Sequence, residues 1–414
     1  MQNKLTKMLN LVSTENDFYK DRLEKNAISC SLDLDQYPIL TRKEVQENRY
    51  NMFSFGCKSK FFSQQLRRQY SSGSSGTPVN VYWLYKDYYA STLPLWRQRA
   101  RYYGIHTNDR MVKFTMNAYN ITHENNTIHY INDPNNVLTI NASLIHNEDE
   151  MLEIVKLIKN FEPVWFYIQP FILNRLIRCY QTHNICPPAT LRYIETVGEL
   201  LPSDIRRRAI EFFGVRLANM YGTEEMNGIA YECPHHSMHI LTDNVFVECL
   251  TTEGTIEREG QGQAIVTNLN NTAMPLVRYN QGDIISLTNQ TSPCPCGNCA
   301  PIISLIEGRK MDELIIEGAT INTYLLVELI AELNNTYNDI ITDFKFVYHN
   351  SLNMLVCYIH LTDNKNMWFE SVAEDITQLF WKKQETKMEL RFDVLPFDPN
   401  TETNKKFCVL EVKE

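Results

Sequence analysis

The sequence has no apolar run long enough to cross a membrane, and its first segment, Met1 to Asn26, lacks the apolar stretch of a secretory signal. It also has no excess of positive charge. Its 40 lysines and arginines stand against 49 aspartates and glutamates and give a net charge of −9. A general nucleic-acid-binding surface is therefore not expected. These absences predict a cytoplasmic protein with no membrane partner and no nucleic-acid partner.

The cysteines lack the pattern of a disulfide framework. There are 11 of them, an odd number, in a long chain without an export signal. Most are scattered singly and are interpreted as small buried hydrophobic residues. Cys294, Cys296 and Cys299 are clustered and need a different explanation.

A Walker phosphate loop is absent as well, but a different glycine-containing loop is present. Ser71 to Val79 holds two glycines three residues apart among four serines. Glycine lets backbone N–H groups approach an anion closely and serine adds hydroxyl donors, so this loop suits the oxygens of a polyanion. The alternative is a flexible linker, although Thr77-Pro78 ends the run and a strand-like segment follows.

The middle of the chain alternates between helical and strand-like patterns. Apolar residues on one face predict a helix from Glu148 to Lys159, and a short apolar run predicts a buried strand from Val164 to Ile168. The alternation continues to Phe213 and indicates a layered α/β architecture with parallel strands. Shorter strands follow from Gly262, including one predicted from Pro275 to Tyr279.

The composition changes again near Arg309. We therefore predict a large, layered α/β N-terminal domain over residues 1–309 and a small α+β C-terminal domain over residues 310–414.

Two further segments place a carboxylate beside a glycine. In Asn219 to Glu225 a glycine follows a strand-like segment and precedes a hydroxyl and two carboxylates, which suits a nucleotide and its metal. In Arg278 to Asp283 a carboxylate follows a tight glycine turn, where it can hold two ribose hydroxyls. Gly308 to Asp312 adds a third charged glycine turn. Each segment alone is also typical of an ordinary turn.

Taken in this order, the segments resemble those of the adenylate-forming superfamily of acyl- and aryl-CoA ligases, adenylation domains and luciferases. The closest likeness is to the phenylacetate–CoA ligase family and its capsule-biosynthesis-type branch. It begins with Phe18 to Lys20 and Tyr37 to Thr41, includes the Ser/Gly loop, and continues through Gly198-Glu199 and Tyr221 to Thr223. It ends in the Arg278 to Asp283 and Gly308-Arg309 motifs and a C-terminal lysine. The resemblance implies the fold of these enzymes, with a large N-terminal domain and a small, mobile C-terminal domain.

The resemblance also implies an activity. Ligases of this kind use ATP and Mg²⁺ to form an acyl- or aryl-adenylate from a small carboxylic acid, with release of pyrophosphate. They then pass the acyl group to a thiol, here expected to be that of coenzyme A. Two alternatives stay open. In the first, the acyl group passes to a carrier-protein thiol or to an amine. In the second, the chain is a non-catalytic, zinc-stabilised scaffold.

Residue by residue, the resemblance assigns Lys406 as the catalytic lysine, with Lys405 as the alternative, and Asp312 as the hinge. Glu225 is assigned to Mg²⁺, although Glu224 beside it is an alternative carboxylate. The nucleotide-binding residues implied in the same way are Ser72, Gly73, Ser74, Ser75, Gly76, Thr77, Gly198, Glu199, Asn219, Tyr221, Gly222, Thr223, Asp283 and Arg309.

The clustered cysteines predict a metal site together with a second segment that runs from Cys233 to His239. Thiolates combined with imidazole suit a tetrahedral zinc ion. The Cys-Pro-Cys-Gly turn also resembles one that binds zinc in the phenylacetate–CoA ligase family. The ligands chosen are Cys233, His239, Cys294 and Cys296, with Cys299 as a reserve. Four protein ligands leave no position for water, so the zinc is expected to be structural. The alternative is a set of reduced, unliganded cysteines.

Overall fold

The computed structural model describes most of the chain and divides it into two compact units. One unit comprises Met1–Thr107 and Ala218–Ile306, and the other comprises Asn108–Leu217 and Glu307–Glu414. The domain boundary predicted at residues 309 and 310 stays a prediction. The described residues are 2–25, 27–28, 30–70, 79–116, 129–132, 136–145, 147–309, 314–316, 319–337, 339–361, 368–384, 390–394 and 410–413.

The helices and strands are numbered in chain order. The helices are α1 (Gln2–Glu15), α2 (Asp17–Glu24), α3 (Arg42–Glu47), α4 (Cys57–Phe62), α5 (Tyr85–Gln98), α6 (Glu148–Phe161), α7 (Pro170–Thr182), α8 (Ser203–Phe213), α9 (Thr323–Tyr337) and α10 (Phe369–Gln384). The strands are β1 (Arg67–Tyr70), β2 (Asn80–Trp83), β3 (Met111–Thr115), β4 (His129–Asn132), β5 (Val137–Asn141), β6 (Trp165–Ile168), β7 (Tyr193–Val197), β8 (Arg216–Thr223), β9 (Asn227–Glu232), β10 (Met238–Ile240), β11 (Val245–Leu250), β12 (Ile256–Glu257), β13 (Gly260–Asn268), β14 (Tyr279–Thr288), β15 (Ile302–Arg309), β16 (Leu314–Ile316), β17 (Ala319–Ile321), β18 (Ile341–His349), β19 (Met354–Leu361), β20 (Leu390–Val394) and β21 (Leu410–Lys413).

Shorter helical turns join some of these elements. Helix α5 continues as a π-helical turn over Arg99–Tyr103, and 3₁₀ turns lie at Leu34–Gln36, Ala142–Leu144 and Asn350–Leu352. Among the described residues, no helix has the length and apolar character that a membrane-spanning segment needs.

The first unit is built on strands that run in the order β12-β11-β13-β14-β15-β10-β9-β8. Its core packs α1 and α2 against these strands through buried side chains such as Leu9, Val12 and Tyr19. Leu40 joins β14 through two backbone hydrogen bonds, since its N–H donates to the Arg278 carbonyl and its carbonyl accepts from the Asn280 N–H. Strands β1 and β2 form a separate antiparallel pair.

The second unit contains the parallel layer that the alternating pattern predicts. Strands β3, β5, β6 and β7 pair in parallel, and β4 adds an antiparallel edge beside β5. Helices α6, α7 and α8 cover one face with residues such as Ile154, Leu173 and Ile205. Helix α6 begins in a capping box between Asn147 and Glu150. The predicted helix and strand of this region are therefore confirmed to within a few residues at each end.

Residues 307–414 carry a core of their own within the second unit. The four-stranded order is β20-β19-β18-β21. Helices α9 and α10 contribute side chains such as Leu329, Ile330, Val372 and Ile376 to this core. The mixed helix and strand content agrees with the predicted α+β character.

The strand predicted from Pro275 to Tyr279 is wrong, because only Tyr279 lies in a strand. A side chain satisfies the backbone groups that a neighbouring strand would otherwise bind. The buried Tyr19 hydroxyl donates to the Pro275 carbonyl at 3.0 Å and accepts from the Val277 N–H at 2.9 Å. Arg278, just before β14, has φ of +50° and breaks the extended conformation.

Several charged and polar side chains join residues 307–414 to α7 and α8. Arg178 on α7 contacts Asp343 on β18 at 2.7 Å, and Arg207 on α8 contacts Asp339 at 2.6 Å. Buried Asn334 on α9 donates to Asp204 on α8 at 2.8 Å. Interfaces of this polar kind resemble contacts between separable domains more than a fused core.

We expect reversal of one of these charges to loosen the contact. Asp343→Arg places a third cation beside Arg178 and Arg175, and should cost about 2 kcal/mol of unfolding free energy, the usual worth of a hydrogen bond to a charged group. Arg178→Asp in the same chain should recover most of that loss. Urea unfolding, with hydrogen exchange at α9, measures both effects. Glu153→Lys is the matched control, since its exposed pair with Lys156 lies within one helix and should contribute little. A double variant no more stable than Asp343→Arg would contradict the assigned pair.

Candidate functional site

The hairpin of β8 and β9 carries the central glycine motif of the first unit. Tyr221, Gly222 and Thr223 lie within β8, rather than in a loop after it, and the turn spans residues 224–226. Gly222 is required because a Cβ there would lie 2.3 Å from the carbonyl oxygen of Asn227 on the partner strand. The Thr223 hydroxyl is buried, and no described residue hydrogen-bonds to it.

The hairpin brings Tyr221 to Asp283, which lies 62 residues further along the chain. The Tyr221 hydroxyl donates to Asp283 Oδ2 at 2.7 Å. Asp283 follows Gly282, whose φ is +80° and whose N–H donates to Asn280 Oδ1 at 2.8 Å. A glycine at this position allows β14 to turn its carboxylate toward β8. The structure therefore places two of the predicted nucleotide-binding residues side by side.

The turn of the hairpin also contacts the strand that leads into the Ser/Gly loop. Gln69, on β1, donates to Asn227 Oδ1 at 2.9 Å. Asn227 in turn donates through its side-chain Nδ2 to the Ser91 hydroxyl on α5 at 2.6 Å. Strand β1, which ends at Tyr70, is therefore joined to the hairpin through Gln69.

The two candidate Mg²⁺ carboxylates have different surroundings. Glu225 is buried, and its Oε1 lies 3.7 Å from an Arg42 guanidinium nitrogen at the start of α3. Glu224 is exposed. Glu225 therefore already has a cationic neighbour, which an ion bound there would have to share or displace.

In the second unit, Gly198 and Glu199 directly follow β7. Gly198 has φ of +78°, the left-handed conformation that favours glycine. A Glu199 carboxylate oxygen accepts from the Phe171 N–H at 3.4 Å, near the start of α7. The partly positive amino end of a helix favours a carboxylate at this place.

Several predicted residues lie outside the described part of the chain. They are Ser72, Gly73, Ser74, Ser75, Gly76, Thr77, Asp312, Lys405 and Lys406. The backbone of Arg309 ends β15, but its side chain is not among those described. The roles of these residues remain predictions.

The four predicted zinc ligands lie together in the first unit. Their ligand atoms are all within 4.8 Å of one another. Cys233 Sγ and Cys294 Sγ are 3.8 Å apart, and Cys296 Sγ and His239 Nε2 are 3.3 Å apart. A tetrahedral zinc ion with ordinary bond lengths separates two sulfurs by about 3.8 Å and a sulfur from a nitrogen by about 3.6 Å. The residues therefore fit the ion, and the exposed Cys299 is outside the cluster.

Neighbouring polar groups orient the imidazole of this cluster. His239 directs Nε2 toward Cys296, while its Nδ1 lies 3.5 Å from the Ala300 carbonyl and 3.4 Å from Gln290 Nε2. Binding of the second ring nitrogen to a carbonyl is common for histidine ligands of metals. Burial lowers the pKa of His239, so the ring is neutral near pH 7 and can offer a lone pair.

The thiols of the cluster differ in acidity. Burial raises the pKa of Cys233 to about 11. Burial also acts on Cys294, but hydrogen bonds from the Cys296 backbone and the Ser237 hydroxyl outweigh it and lower the pKa of that thiol. Of these two thiols, Cys294 gives up its proton more readily. A metal ion must displace the proton of Cys233, so the affinity of the cluster for the metal falls as the pH falls.

Some residues beside these sites were not predicted from the sequence. The Tyr102 hydroxyl lies 3.4 Å from Cys296 Sγ, and Arg101 donates to the Cys296 carbonyl at 3.0 Å. Glu232 and Arg42 are the other two. Each of these four residues contacts a partner that is distant in sequence or lies across a turn. No local sequence pattern indicates such a contact.

Comparisons with known proteins agree with the resemblance of the motifs. No family model matches the chain. A phenylacetate–coenzyme A ligase from Thermus thermophilus is 31% identical over 174 residues, 40% of this chain and 39% of that protein. Protein CapK from Staphylococcus aureus is 24% identical over 424 aligned residues, 98% of this chain and 87% of that protein. The structure of 2-hydroxyisobutyryl-CoA ligase in the postadenylation state, in complex with 2-HIB-AMP, superimposes with a TM-score of 0.78 at 14% identity, covering 100% of this chain and 88% of that one.

The chain is thus similar in sequence to a phenylacetate–coenzyme A ligase and to CapK, and similar in fold to 2-hydroxyisobutyryl-CoA ligase. The resemblance derived from the order of its motifs is confirmed by these relatives, and so is the predicted α/β fold class. The Thermus match spans about two fifths of that ligase, and the likeness to the solved structure concerns the fold alone. The activity, acid substrate and acceptor of this chain are therefore matters of proposal.

We expect about one zinc ion per chain in protein purified without chelator. Cys294→Ala and Cys296→Ala should each lower the metal content and the thermal stability, because each removes one of four ligands. Structural zinc contributes roughly 10 kcal/mol in small peptides, although much of a large domain would persist without it. Metal analysis by mass spectrometry measures the content. Cys299→Ala is the matched control and should retain zinc. Native protein without metal would contradict the site, and so would loss of zinc in Cys299→Ala alone.

Proposed function

We propose that this chain is an ATP-dependent carboxylate ligase, which forms an acyl- or aryl-adenylate and passes the acyl group to a thiol, with coenzyme A as the expected acceptor. The observation that carries the proposal is the hydrogen bond between Tyr221 and Asp283, at 2.7 Å, beside the buried Thr223 hydroxyl, to which no described residue hydrogen-bonds. Tyr221 and Thr223 lie on β8, and Asp283 is where the resemblance assigns the ribose. Relatives named phenylacetate–CoA ligase support the same chemistry.

The described residues suit adenosine and its α-phosphate. Asp283 accepts a hydrogen bond from Tyr221 on Oδ2, and a carboxylate has about four acceptor sites, so the same group suits the two ribose hydroxyls. The Tyr221 ring offers a flat surface beside the ribose for the adenine. A buried hydroxyl without a partner costs free energy. The Thr223 hydroxyl would donate a hydrogen bond to an α-phosphate oxygen.

Charge stabilisation completes the proposed reaction. Mg²⁺ held at Glu225, or at exposed Glu224, would neutralise charge on the phosphates. Lys406 would approach both the attacking carboxylate and the α-phosphate, so that the new oxygen–phosphorus bond forms as the bond to pyrophosphate breaks. Alignment and electrostatics supply most of the acceleration in such a displacement. Asp312 would be the hinge of the small domain that carries Lys406.

The metal cluster and the thiols support two subsidiary proposals. Zinc held by Cys233, His239, Cys294 and Cys296 would be structural, since four protein ligands leave no position for a reacting water. All of the described cysteines are free thiols, and a cluster of unoxidised thiols suits a reducing compartment such as the cytoplasm.

Pyrophosphate release tests the activity. Native protein with MgATP and a panel of aryl, fatty and amino acids should release pyrophosphate with at least one acid class. Asp283→Ala should reduce this release by about 10-fold or more, because a hydrogen-bonding carboxylate for the ribose is lost. That variant also excludes a contaminating enzyme. If native protein neither releases pyrophosphate nor binds nucleotide, the scaffold alternative replaces the ligase. Coenzyme A, a carrier protein and hydroxylamine as added acceptors then separate the possible second steps.

Lys406→Ala should separate the two half-reactions. If Lys406 stabilises charge only while the adenylate forms, adenylation should fall by about 10²–10³-fold, the typical worth of one such donor. Thiol transfer from supplied acyl-adenylate should change little. Asp312→Pro restricts φ at the hinge and should do the reverse.

Single-turnover kinetics of each half-reaction measures both effects. Lys405→Ala is the matched control. Loss of adenylation in that variant, with normal adenylation in Lys406→Ala, would move the role by one residue. Normal adenylation in both variants would contradict the lysine role.

A further inference from the structure

Glu232 occupies a position between the metal cluster and the proposed nucleotide segment. It is the last residue of β9 and directly precedes Cys233, the first cluster ligand. Its side chain is buried, with 3% of the residue exposed. One carboxylate oxygen accepts from the Asn219 N–H at 2.6 Å, and the other lies 3.0 Å from His236 Nδ1. One side chain thus contacts the start of the Asn219–Thr223 segment and the turn between two zinc ligands.

The contact with Asn219 is short and charge-assisted, so it constrains the backbone strongly. Strands β8 and β9 pair Met220 with Tyr231, one step before Asn219 and Glu232. The Glu232 side chain therefore holds β8 where the adenine-lining segment begins. Loss of this acceptor would leave a part-buried N–H group to find another partner, and the backbone would shift to do so.

The turn after Glu232 lies between two ligands of the cluster, Cys233 and His239. The Cys233 N–H donates to the Ser237 carbonyl at 3.0 Å, and the His236 N–H donates to the Cys233 carbonyl at 2.9 Å. These bonds close a tight turn that places His236 beside Glu232. A metal ion that joins Cys233 and His239 to the second loop would hold both ends of this turn. Without the ion, no covalent bond links the two loops, because the described cysteines are free thiols.

Two adjacent tyrosines form a second path between the same groups. Tyr102, in the π-helical turn after α5, places its hydroxyl 3.4 Å from Cys296 Sγ. Tyr103 donates to the Glu232 carbonyl at 3.1 Å, and its ring packs against Tyr231 with centroids 6.1 Å apart. A displacement of the Cys296 loop would therefore act on Glu232 through this turn as well as through His236.

We propose that Glu232 is a positioning residue that couples metal occupancy of the cluster to nucleotide affinity; this inference rests on the proposed function. An occupied cluster holds the turn, the turn holds Glu232, and Glu232 holds the backbone of Asn219 in its binding conformation. The coupling is reciprocal, since a bound nucleotide must tighten the metal by the same factor. Glu232 itself contacts neither the phosphates nor the metal in this scheme.

The first experiment measures nucleotide affinity with and without zinc. Fluorescently labelled AMP is titrated into native protein, and then into protein stripped by chelator and checked by circular dichroism. Native protein should bind about 10-fold more tightly, within the usual range of coupling between two sites. Equal affinities within twofold would overturn the coupling while leaving the proposed function intact. No binding to native protein would overturn the proposed function, and the coupling with it.

Variants of Glu232 separate positioning from a general effect on stability. Glu232→Ala should weaken AMP binding about 10-fold in zinc-loaded protein and make it insensitive to zinc removal. Glu232→Gln keeps an acceptor for the Asn219 N–H and should bind within about threefold of native, since only the charge of the acceptor is lost. Glu257→Ala, an exposed glutamate at the edge of the same unit, should behave as native. Unchanged zinc dependence in Glu232→Ala would overturn the assignment of Glu232.

The reverse effect uses only the zinc-loaded protein and does not depend on the stability of the stripped form. Zinc release to a chromogenic chelator is followed with and without saturating AMP. Bound AMP should tighten zinc about 10-fold in native protein, seen as slower release or a higher chelator requirement, and should have no such effect in Glu232→Ala. Zinc affinity independent of AMP in native protein would overturn the coupling.

Discussion

The antiparallel pairing of β8 with β9 is the interaction on which the candidate site depends. One strand carries Asn219 to Thr223, and the other ends at Glu232, directly before the first metal ligand. The strands approach so closely at Gly222 that a Cβ there would clash with the carbonyl oxygen of Asn227. Gln69, on the strand before the Ser/Gly loop, donates a hydrogen bond to Asn227 at the start of β9. A single hairpin thus contacts strand β1 and carries both the Asn219–Thr223 segment and the residue before the metal turn, and its backbone hydrogen bonds leave it little freedom.

Two kinds of contact hold the remaining elements, and they differ in chemistry. Helices α6, α7 and α8 bury apolar side chains against the parallel strands, which provides a rigid layer. Residues 307–414 have a separate apolar core and meet α7 and α8 through Arg178, Arg207 and their carboxylate partners. Ion pairs exchange protein partners for water at less cost than a dry apolar surface. This difference suits the mobile C-terminal domain that the resemblance implies.

The metal cluster answers a different structural need. The segment from Cys233 to His239 and the segment from Cys294 to Cys296 are loops with few buried apolar residues, and they need another means of fixation. Four ligands from two loops about 60 residues apart can fix both at once. Hydrogen bonds from Tyr102 and Gln290 complete the surroundings of the ligands. The acidity of Cys294 and the neutral His239 ring favour ligation near neutral pH.

The sequence by itself determined those features that depend on local pattern or on residue type. The period of apolar residues defined helix α6 and strand β6, because each must bury one face. The order of glycine-containing motifs indicated the superfamily, and thiol and imidazole chemistry selected four metal ligands that the structure brings together. Only the tertiary structure decided which distant groups meet. Tyr19 binds the backbone near Pro275 and prevents the strand predicted there, Arg42 lies beside Glu225, and Glu232 joins the metal turn to Asn219. Most of these contacts join residues that are far apart in the sequence and meet only in the folded chain. A short stretch of sequence therefore does not reveal them.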